Sequence, residues 1–277
     1  MSLSEVGFVG LGFMGAPMAA RLARDPDIGL LVYDVVEERT AGLRQLGARV
    51  ASSVSDLGRS SEAVLVAVHN DAQVLDVVSE LTRCMTTGSY IVVHSTCRPS
   101  TCRELAEEAA CRGISLIDAP ISGGEQGALD GTLTLAVGGR ADAVDACRPL
   151  LSKLSRKIYH FGDVGTGQLL KLVNNAMGVT NRIVIGEALA LARVAGLTDE
   201  DQVLEYVTSS TGDSWHARNW RAVQQSAARS HGGATAIAET GRKDLVTALE
   251  IAQSHGVPMP VVSTAAGNTA GIAGPFG

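Results

Sequence analysis

The sequence has no excess of positive charge and no long apolar run. Its formal net charge is −6 at pH 7, so we expect no basic surface that nucleic acid could bind. No apolar run reaches the roughly 20 residues that span a bilayer, and Met1 is followed almost at once by a strand-like pattern. These absences predict a protein without a nucleic-acid partner, a membrane segment or a targeting peptide.

Cysteine pairs are also missing. The five cysteines are an odd number and show no C-x-x-C spacing, which argues for reduced thiols rather than disulfides or a zinc site. We therefore expect no metal and a cytoplasmic location. Cys97 follows Ser95 and Thr96 and could lie near a functional site, although a buried, inert thiol is the simpler interpretation.

A glycine-rich turn follows the first strand-like run, residues 6–10. Gly10, Gly12 and Gly15 form a G-x-G-x-x-G pattern, and a helical pattern with Pro17 in its first turn comes next. In this setting such glycines permit a tight turn, close approach to a pyrophosphate and packing of helix on strand. Ordinary loop glycines are the alternative. The residues expected to bind the dinucleotide are Gly10, Leu11, Gly12, Phe13, Met14 and Gly15.

An acidic residue ends the second predicted strand, residues 30–34. Asp34 follows Gly15 by 19 residues, a separation at which a carboxylate accepts the ribose hydroxyls of an adenosine and repels a 2′-phosphate. Val35 and Val36 stand where a protein that binds NADP often has an arginine. We therefore predict NAD rather than NADP as the cofactor. Arg39 is the one nearby residue that argues against this choice.

Strands and helices then alternate with short connections, which predicts a parallel sheet with helices on both faces. The predicted strands are residues 48–51, 63–68, 90–95 and 115–119, and the predicted helices are residues 37–46, 71–84 and 101–112. Such sheets bind ligands beyond the carboxyl ends of their strands. We therefore expect His69, Asn70, Ser95 and Thr96, which follow two of these strands, to line the cofactor site.

His69 and His94 could act as acids or bases in these loops. Loop histidines beside a cofactor mostly pack or make hydrogen bonds, and no third ligand at metal spacing accompanies this pair. We therefore assign neither of them to catalysis.

Ser122, Gly123 and Gly124 follow the sixth predicted strand. Two glycines after a serine can expose backbone N–H groups as a small anion-binding nest, which would suit the carboxylate of a small substrate. The alternative is a plain hairpin turn into residues 132–137.

Two further strands, residues 133–137 and 157–161, are expected to extend the sheet around a helix at residues 142–154. Glycine-rich residues 162–167 then break the pattern, and only helical periodicity follows: one helix is expected to start at residues 198–201, and others to cover residues 215–229 and 240–255. Pro258 and Pro260 are expected to end the last helix, and residues 265–277 to fray. We predict an α/β fold: a Rossmann-type dinucleotide-binding domain at residues 1–163, then an all-α domain at residues 164–277 led by a long interdomain helix.

A long apolar helix over residues 168–195 carries Lys171, Asn174 and Asn175 near its start. Because residues three and four apart share a helix face, the Lys171 amine and the Asn175 amide can bind and protonate one carbonyl oxygen. The alternative is a lysine that extends from a core helix to solvent. A helix that is apolar nearly all round is a buried one, so we expect a second subunit to cover part of it.

Five motifs together resemble those of the β-hydroxyacid dehydrogenase family, in the same order and over nearly the whole chain. They are residues 10–18 (cofactor fingerprint), 95–96 (nicotinamide-side loop), 118–124 (substrate-carboxylate signature), 162–175 (lysine segment) and 243–245 (late cofactor-side motif). The resemblance implies hydride transfer between NAD(H) and a small 3-hydroxy acid or its semialdehyde. It also implies a homodimer or homotetramer that assembles through the second domain.

By this resemblance Lys171 is the general acid/base and Asn175 orients the substrate hydroxyl. The other residues implied to bind substrate are Ser122, Gly123, Gly124, Asn174, Ser214 and Trp215. Thr96 and Lys243 are implied to contact the cofactor.

The chain departs from the family pattern in two places. Thr235 and Ala236 stand where relatives often have an aromatic residue, and the C-terminal segment looks short and rich in glycine where relatives continue with another helix. The substrate side chain therefore stays open, and reduction of tartronate semialdehyde or sulfolactaldehyde is an alternative within the family. An alternative of another class is a non-catalytic dinucleotide-binding protein, against which the retention of Lys171 with Asn175 argues.

Overall fold

The structure, a computed structural model, describes residues 3–229 and 233–268, except the side chains of residues 227, 229 and 234. The chain divides into two compact units, Met1–Lys171 and Leu172–Gly277. This division falls inside a long helix, whereas the boundary predicted from the sequence, after residue 163, precedes that helix. The predicted α/β class, with a parallel sheet in the first unit and helices in the second, is confirmed.

A six-stranded parallel sheet forms the middle of the first unit. Its strands are β1 (Glu5–Val9), β2 (Gly29–Tyr33), β3 (Arg49–Val50), β4 (Ala63–Val66), β5 (Tyr90–Val93) and β6 (Ser115–Asp118). They run in the order β3-β2-β1-β4-β5-β6, the order of a doubly wound sheet that binds ligands where the order reverses, beside β1. β4 is apolar and buried at every position, as expected of a parallel strand covered on both faces.

Alternate residues of each strand belong to two apolar cores, one on each face of the sheet. In β4, Ala63 and Leu65 pack into one cluster, whereas Val64 and Val66 pack into the other. The helices of this unit are α1 (Gly15–Ala23), α2 (Ala41–Gln45), α3 (Val54–Arg59), α4 (Asp71–Cys84), α5 (Pro99–Ala110), α6 (Gly124–Asp130) and α7 (Ala141–Ser152). Helices thus cover both faces of the sheet, and sheets of this kind bind ligands beyond the carboxyl ends of their strands.

The helix predictions for this unit hold with three corrections, one of which is that α6 was not predicted. The predicted helix over residues 37–46 is a 3₁₀ turn, Glu37–Thr40, followed by α2. α3 was not predicted, because its six residues are too few to show helical periodicity. Its start is marked only by Ser53, whose hydroxyl accepts a hydrogen bond from the N–H of Asp56.

The prediction that residues 133–137 and 157–161 extend the main sheet is wrong. They lie in a second, three-stranded sheet made of β7 (Ile121–Ser122), β8 (Leu133–Val137) and β9 (Ser155–His160), with β7 antiparallel and β9 parallel to β8. One bridge between Asp118 and Gly138 joins the two sheets. The physical reason is Pro120, which has no N–H to continue the ladder after β6.

In the second unit the described residues form helices only. After α8 (Thr166–Val194), which starts in the first unit, they are α9 (Glu200–Thr208), α10 (Trp215–Arg218), α11 (Trp220–Arg229), α12 (Gly233–Ser254) and α13 (Pro260–Gly267). The single helix predicted over residues 215–229 is therefore split, with Asn219 between α10 and α11. The predicted frayed end is also wrong up to Gly267, because Pro260 begins a helix, as proline can in a first turn. Residues 269–277 lie outside the described part.

α8 is less buried than its composition suggests. Leu172, Ala176 and Ile183 face the core of the second unit, but a row of apolar side chains on α8 is exposed. This row consists of Val173, Met177, Val184, Leu191 and Val194, with exposed fractions between 48% and 82%. Across the described part of the chain, no helix combines the length and apolar character needed to traverse a bilayer.

Candidate functional site

The glycine-rich turn lies between β1 and α1, as predicted. Gly10 has a φ of +93°, and a Cβ there would overlap the Ala67 carbonyl oxygen, whereas a Cβ at Gly15 would overlap the carbonyl oxygen of Gly10. A Cβ at Gly12 would meet no atom within 4 Å, so the backbone there is open to a ligand. α1 has no side-chain cap and no acidic residue in its first turn. Its N-terminal N–H groups and positive dipole end therefore suit a phosphate.

Asp34 lies directly after β2, and its side chain is only 4% exposed. Oδ2 accepts the N–H of Leu11 at 2.6 Å, and Oδ1 accepts the N–H of Val36 at 2.8 Å. Arg39 Nη1 lies 3.4 Å from the same Oδ1. The carboxylate therefore holds the glycine-rich turn against the end of β2. Each oxygen has more than one lone pair, so the ribose contact predicted from the sequence is compatible with these bonds.

The loop after β4 carries His69 and Asn70. His69 is exposed, and its backbone N–H donates to Gln73 Oε1 at 2.9 Å. Asn70 Oδ1 accepts the N–H of Gln73 at 2.9 Å and caps the start of α4. This capping hydrogen bond fixes the Asn70 amide at the end of the loop that is expected to line the cofactor site.

The loop after β5 is anchored through Ser95. The buried Ser95 Oγ accepts the N–H of Val68 at 2.8 Å and donates to the Val68 carbonyl oxygen at 2.9 Å. The hydroxyl therefore fixes this loop to the one after β4, while the neighbouring Thr96 is partly buried.

His94 is a packed residue of this edge. Its side chain is buried, and Nδ1 lies 2.7 Å from the carbonyl oxygen of Ala119. Burial lowers the pKa of His94 to about 4, so the ring is neutral at ordinary pH. A neutral, buried ring agrees with a packing role. Among residues 3–229 and 233–268, no group of three or more His, Cys, Asp or Glu side chains is arranged to hold a metal ion.

Ser122, Gly123 and Gly124 link β7 to α6. Ser122 pairs with Thr134 across the antiparallel ladder. Gly123 and Gly124 have φ angles of +132° and +67°, and a Cβ on Gly124 would meet no atom within 4 Å. A seven-residue helix, rather than a tight hairpin, begins at Gly124. Two successive residues with positive φ and an open flank suit the anion-binding role expected of them.

The lysine predicted to be catalytic lies in the second turn of α8. Lys171 and Asn175 are both partly buried and stand four residues apart, one turn along the helix. Asn174 is exposed, and its Nδ2 donates to Asn175 Oδ1 at 3.2 Å. An amine and an amide at this spacing can hold one oxygen of a small molecule between them.

In the second unit, Asn175 is connected to the late cofactor-side motif on α12. Asn175 Nδ2 donates to Asp244 Oδ2 at 2.6 Å, and Lys243 Nζ lies 2.8 Å from Asp244 Oδ1. The Asp244 side chain is 3% exposed, whereas that of Lys243 is 30% exposed. One buried carboxylate thus fixes Asn175 and neutralises Lys243.

Ser214 and Trp215 stand at the start of α10. Ser214 Oγ accepts the N–H of Ala217 at 3.1 Å and caps this short helix. Trp215 is 51% exposed and makes an edge contact with the ring of His216. Trp215 therefore presents an apolar surface, whereas the hydroxyl of Ser214 already has a backbone partner.

Two buried polar residues of this edge lie within motifs of the sequence but were given no role of their own. Asp118 is fully buried and accepts the N–H groups of Gly165 and Gln168, each at 2.7 Å. Burial raises the pKa of Asp118, and the two N–H donors oppose that rise. Gln168 is also fully buried. The signal for Asp118 was a carboxylate in a mostly apolar strand, which burial makes costly unless it is hydrogen-bonded. No such signal marks Gln168, which follows Thr166 and Gly167.

Two family profiles match the chain in succession. The one described as the NAD binding domain of 6-phosphogluconate dehydrogenase matches residues 5–162. The one described as NAD-binding of NADP-dependent 3-hydroxyisobutyrate dehydrogenase matches residues 165–273.

Whole relatives are similar over the same span. An NAD-dependent L-serine dehydrogenase of Pseudomonas aeruginosa is 35% identical over 273 residues, 95% of this chain and 90% of the relative. A 3-hydroxyisobutyrate dehydrogenase of the same organism is 35% identical over 269 residues, 94% and 89% of the two chains. The solved structure of a Mycobacterium tuberculosis 3-hydroxyisobutyrate dehydrogenase with L-serine is similar with a TM-score of 0.83 and 27% identity, covering 99% of this chain and 94% of that one.

Proposed function

The chain belongs to the β-hydroxyacid dehydrogenase family, and we propose that it transfers a hydride between NAD(H) and a small 3-hydroxy acid or its semialdehyde. The observation that carries this proposal is the pair Lys171 and Asn175, one turn apart on α8, with Asn175 held by Asp244. A protein that only bound a dinucleotide would have no need of an amine and an oriented amide at this position.

Lys171 is the proposed proton-transfer group. In the oxidation direction its amine takes the proton of the substrate hydroxyl, and in the reduction direction its ammonium returns a proton to the carbonyl oxygen. Asn175 binds the same oxygen through its amide. The charge that develops on this oxygen is stabilised by the Lys171 cation.

The dinucleotide part of the proposal rests on the first unit. The open backbone at Gly12 and the uncapped start of α1 fit a pyrophosphate, and the carboxylate of Asp34 favours ribose hydroxyls over a 2′-phosphate. When bound, NAD⁺ accepts a hydride at C4 of its nicotinamide. Thr96 and Lys243 are proposed to contact the cofactor, as are His69, Asn70 and Ser95 at the loop ends.

The proposed substrate has a carboxylate, a hydroxyl on the β-carbon and a small group at the carbon between them. Two similar proteins are named for 3-hydroxyisobutyrate and for L-serine, and both compounds have this skeleton. The positive φ angles of Gly123 and Gly124 and the open flank of Gly124 support binding of the carboxylate together with Ser122. The remaining proposed substrate contacts are Asn174, Ser214 and Trp215.

The roles of the two parts of the chain follow from these assignments. We propose that residues 1–163 form the dinucleotide-binding domain and also supply the contacts to the substrate carboxylate. Residues 164–277 are proposed to supply the other substrate contacts and Lys243, and to assemble subunits. The exposed row on α8, from Val173 to Val194, repeats at intervals of about one and two helical turns and so lies on one face. This face supports a homodimer or homotetramer, because a second copy of the chain would remove it from water. The odd number of cysteines supports a cytoplasmic location.

A substrate panel tests the proposed reaction. Purified protein is assayed with 3-hydroxyisobutyrate, L-serine, other 3-hydroxy acids and the corresponding semialdehydes, each with NAD(H) and with NADP(H). We expect turnover of at least one small 3-hydroxy acid that is lost in Lys171→Ala. No turnover with any member of the panel would contradict the proposal.

A further inference from the structure

A chain of buried hydrogen bonds joins the start of α8 to the loop that carries Thr96. All of its members belong to the first compact unit. Gln168, fully buried, donates from Nε2 to the carbonyl oxygen of Ser95 at 2.8 Å and accepts the N–H of Cys97 at Oε1, at 3.1 Å. One side-chain amide therefore binds the backbone groups on both sides of Thr96.

The same helix turn is fixed from a second direction by Asp118. Gly165 precedes the first residue of α8 and has no side chain with which to cap the helix. The Asp118 carboxylate, at the end of β6, caps the helix instead, because it accepts hydrogen bonds from the N–H groups of Gly165 and Gln168. α8 has no acidic residue in its own first turn, so Asp118 also supplies the negative charge that a helix N-terminus favours.

The surrounding glycines show how closely these groups approach one another. A Cβ on Gly167 would lie 2.8 Å from Asp118 Oδ2, and a Cβ on Gly138 would lie 2.5 Å from Asp118 Oδ1. Real Cβ atoms do not approach oxygens this closely, so a side chain at either position would displace the carboxylate. The start of α8 is thus held against both sheets of the unit, in a position that the sequence allows only because glycine stands at both places.

We propose that Gln168 is a positioning residue for the dehydrogenase reaction, with Asp118 as its support. Lys171 follows Gln168 by three residues, so any shift of the first turn of α8 is passed to the lysine along a rigid helix. The Gln168 amide thereby sets the position of Lys171 relative to the loop of Thr96, which is proposed to face the nicotinamide. This inference rests on the proposed function, since it assigns Gln168 to the geometry of proton and hydride transfer.

The test uses Gln168→Met, which keeps the length of the side chain and removes both hydrogen bonds. We expect kcat to fall roughly 10- to 100-fold, the effect of a displacement of about 1 Å at a reacting centre. The dissociation constant for NADH, measured by fluorescence titration, should change little. Because the chemical step would become slower, the deuterium isotope effect on kcat, with deuterium at the carbinol carbon, should increase.

Ser61→Ala is the matched control. Ser61 is also buried in the first unit, and its hydroxyl donates to the Leu57 carbonyl oxygen at 2.7 Å, but it precedes β4 at the opposite end of the sheet. This variant loses a buried hydrogen bond and some stability, and its kcat and isotope effect should equal those of the wild type. If the kcat of Gln168→Met also stays at the wild-type value, Gln168 has no positioning role.

Gln168→Glu gives a second readout if Gln168→Met folds poorly. A protonated carboxyl group has one O–H donor and one carbonyl acceptor, and so can replace the amide, whereas a carboxylate cannot donate to the Ser95 carbonyl. The ratio of its kcat to that of the wild type should therefore rise as the pH is lowered. A ratio that does not change with pH would overturn the inference. Wild-type protein that is inactive on the whole substrate panel would overturn the proposed function, and this inference with it.

Discussion

The side-chain amide of Asn175 donates a hydrogen bond of 2.6 Å to the carboxylate of Asp244. The other oxygen of that carboxylate lies 2.8 Å from Lys243 Nζ. Asp244 is buried, so it holds both partners in a poorly solvated place where such bonds are strong. A group proposed to bind substrate and a group proposed to bind cofactor are thus oriented by one carboxylate.

Asp244→Asn keeps the size of this side chain and removes its charge. We expect kcat/KM to fall roughly 10- to 100-fold, because a hydrogen bond to a charged group contributes about 1.5–3 kcal/mol. Steady-state kinetics measures this change. Asp201→Asn is the control, since Asp201 also forms an ion pair, with Arg221, but is 75% exposed, and such exposed pairs contribute little. Equal kinetics in Asp244→Asn and the wild type would show that the carboxylate is dispensable.

The environment of Asp34 predicts a preference for NADH over NADPH at equal low concentrations. A carboxylate that is 4% exposed would repel a 2′-phosphate in a poorly screened place. Asp34→Ser removes this repulsion and frees Arg39 from its ion pair, so the ratio of kcat/KM for NADPH to that for NADH should rise by about tenfold or more. Asp27→Asn, at an exposed position, should leave the ratio unchanged. Faster wild-type turnover of NADPH than of NADH would contradict the prediction.

Much of the first unit could be predicted from local signals. The bounds of α4 and the glycine-rich turn follow from caps, glycines and periodicity, because their determinants lie within a few residues of one another. The course of the chain after β6 could not be predicted in the same way. Whether β8 joins the main sheet or a second one depends on Pro120 and on the bridge between Asp118 and Gly138. The two residues of this bridge are far apart in sequence and meet only in the folded chain.

The same limit applies to the candidate site. Lys171 and Asn175 could be paired from the sequence because they share one helix, but the partner of Asn175 lies 69 residues further on. Gln168 and Asp118 are 50 residues apart. Each lies in a motif, but neither motif indicates which residue the side chain contacts. Residues that touch the reacting groups leave short patterns in a sequence, whereas the residues that hold them are defined by long-range contacts.

The exposed row on α8 predicts a dimer or larger oligomer at micromolar concentration. Leu191 is 68% exposed within one chain, and Leu191→Asp would place a charge on the proposed contact, where burial is costly. We expect light scattering to give a multiple of the 28.7 kDa chain mass for the wild type and a lower mass for the variant. Leu75→Glu, on the exposed side of α4, should keep the wild-type mass. A monomeric wild type would contradict the prediction.

The burial of His94 predicts that the folded state loses stability in acid. Its folded pKa is about 4 against an ordinary value of 6.5, so the unfolded chain binds more protons between these values and the folded state loses stability as the pH falls from 6.5 to 4. The loss attributable to this group is roughly 3 kcal/mol in the free energy of unfolding. The raised pKa of Asp118 acts in the opposite direction, because that carboxyl group takes up its proton more readily in the folded state.

Urea unfolding at pH 7 and pH 4.5 measures this dependence. The difference in unfolding free energy between the two pH values should be smaller in His94→Gln than in the wild type, since the amide does not titrate. His255→Gln, at an exposed position, is the control and should keep the wild-type difference. The same difference in His94→Gln and the wild type would show that His94 is not the group responsible.

Lys171→Ala tests the proton-transfer role directly. We expect turnover to fall by roughly 10²–10⁴-fold, the usual contribution of a positioned acid or base. The affinity for NADH should change little, because the proposed dinucleotide contacts, Gly10, Gly12, Gly15 and Asp34, are unaltered. Asn175→Ala should be milder than Lys171→Ala, since it removes an orienting group and leaves the proton donor.

Lys171→Arg separates proton transfer from simple charge. Guanidinium keeps the positive charge but cannot give up its proton near neutral pH, so this variant should remain nearly as slow as Lys171→Ala. If Lys171 only neutralised the substrate carboxylate, arginine would restore most of the rate, and the loss in Lys171→Ala would appear mainly in KM. An arginine variant within a few-fold of wild-type turnover would therefore exclude general acid/base catalysis by Lys171 and leave it an electrostatic role.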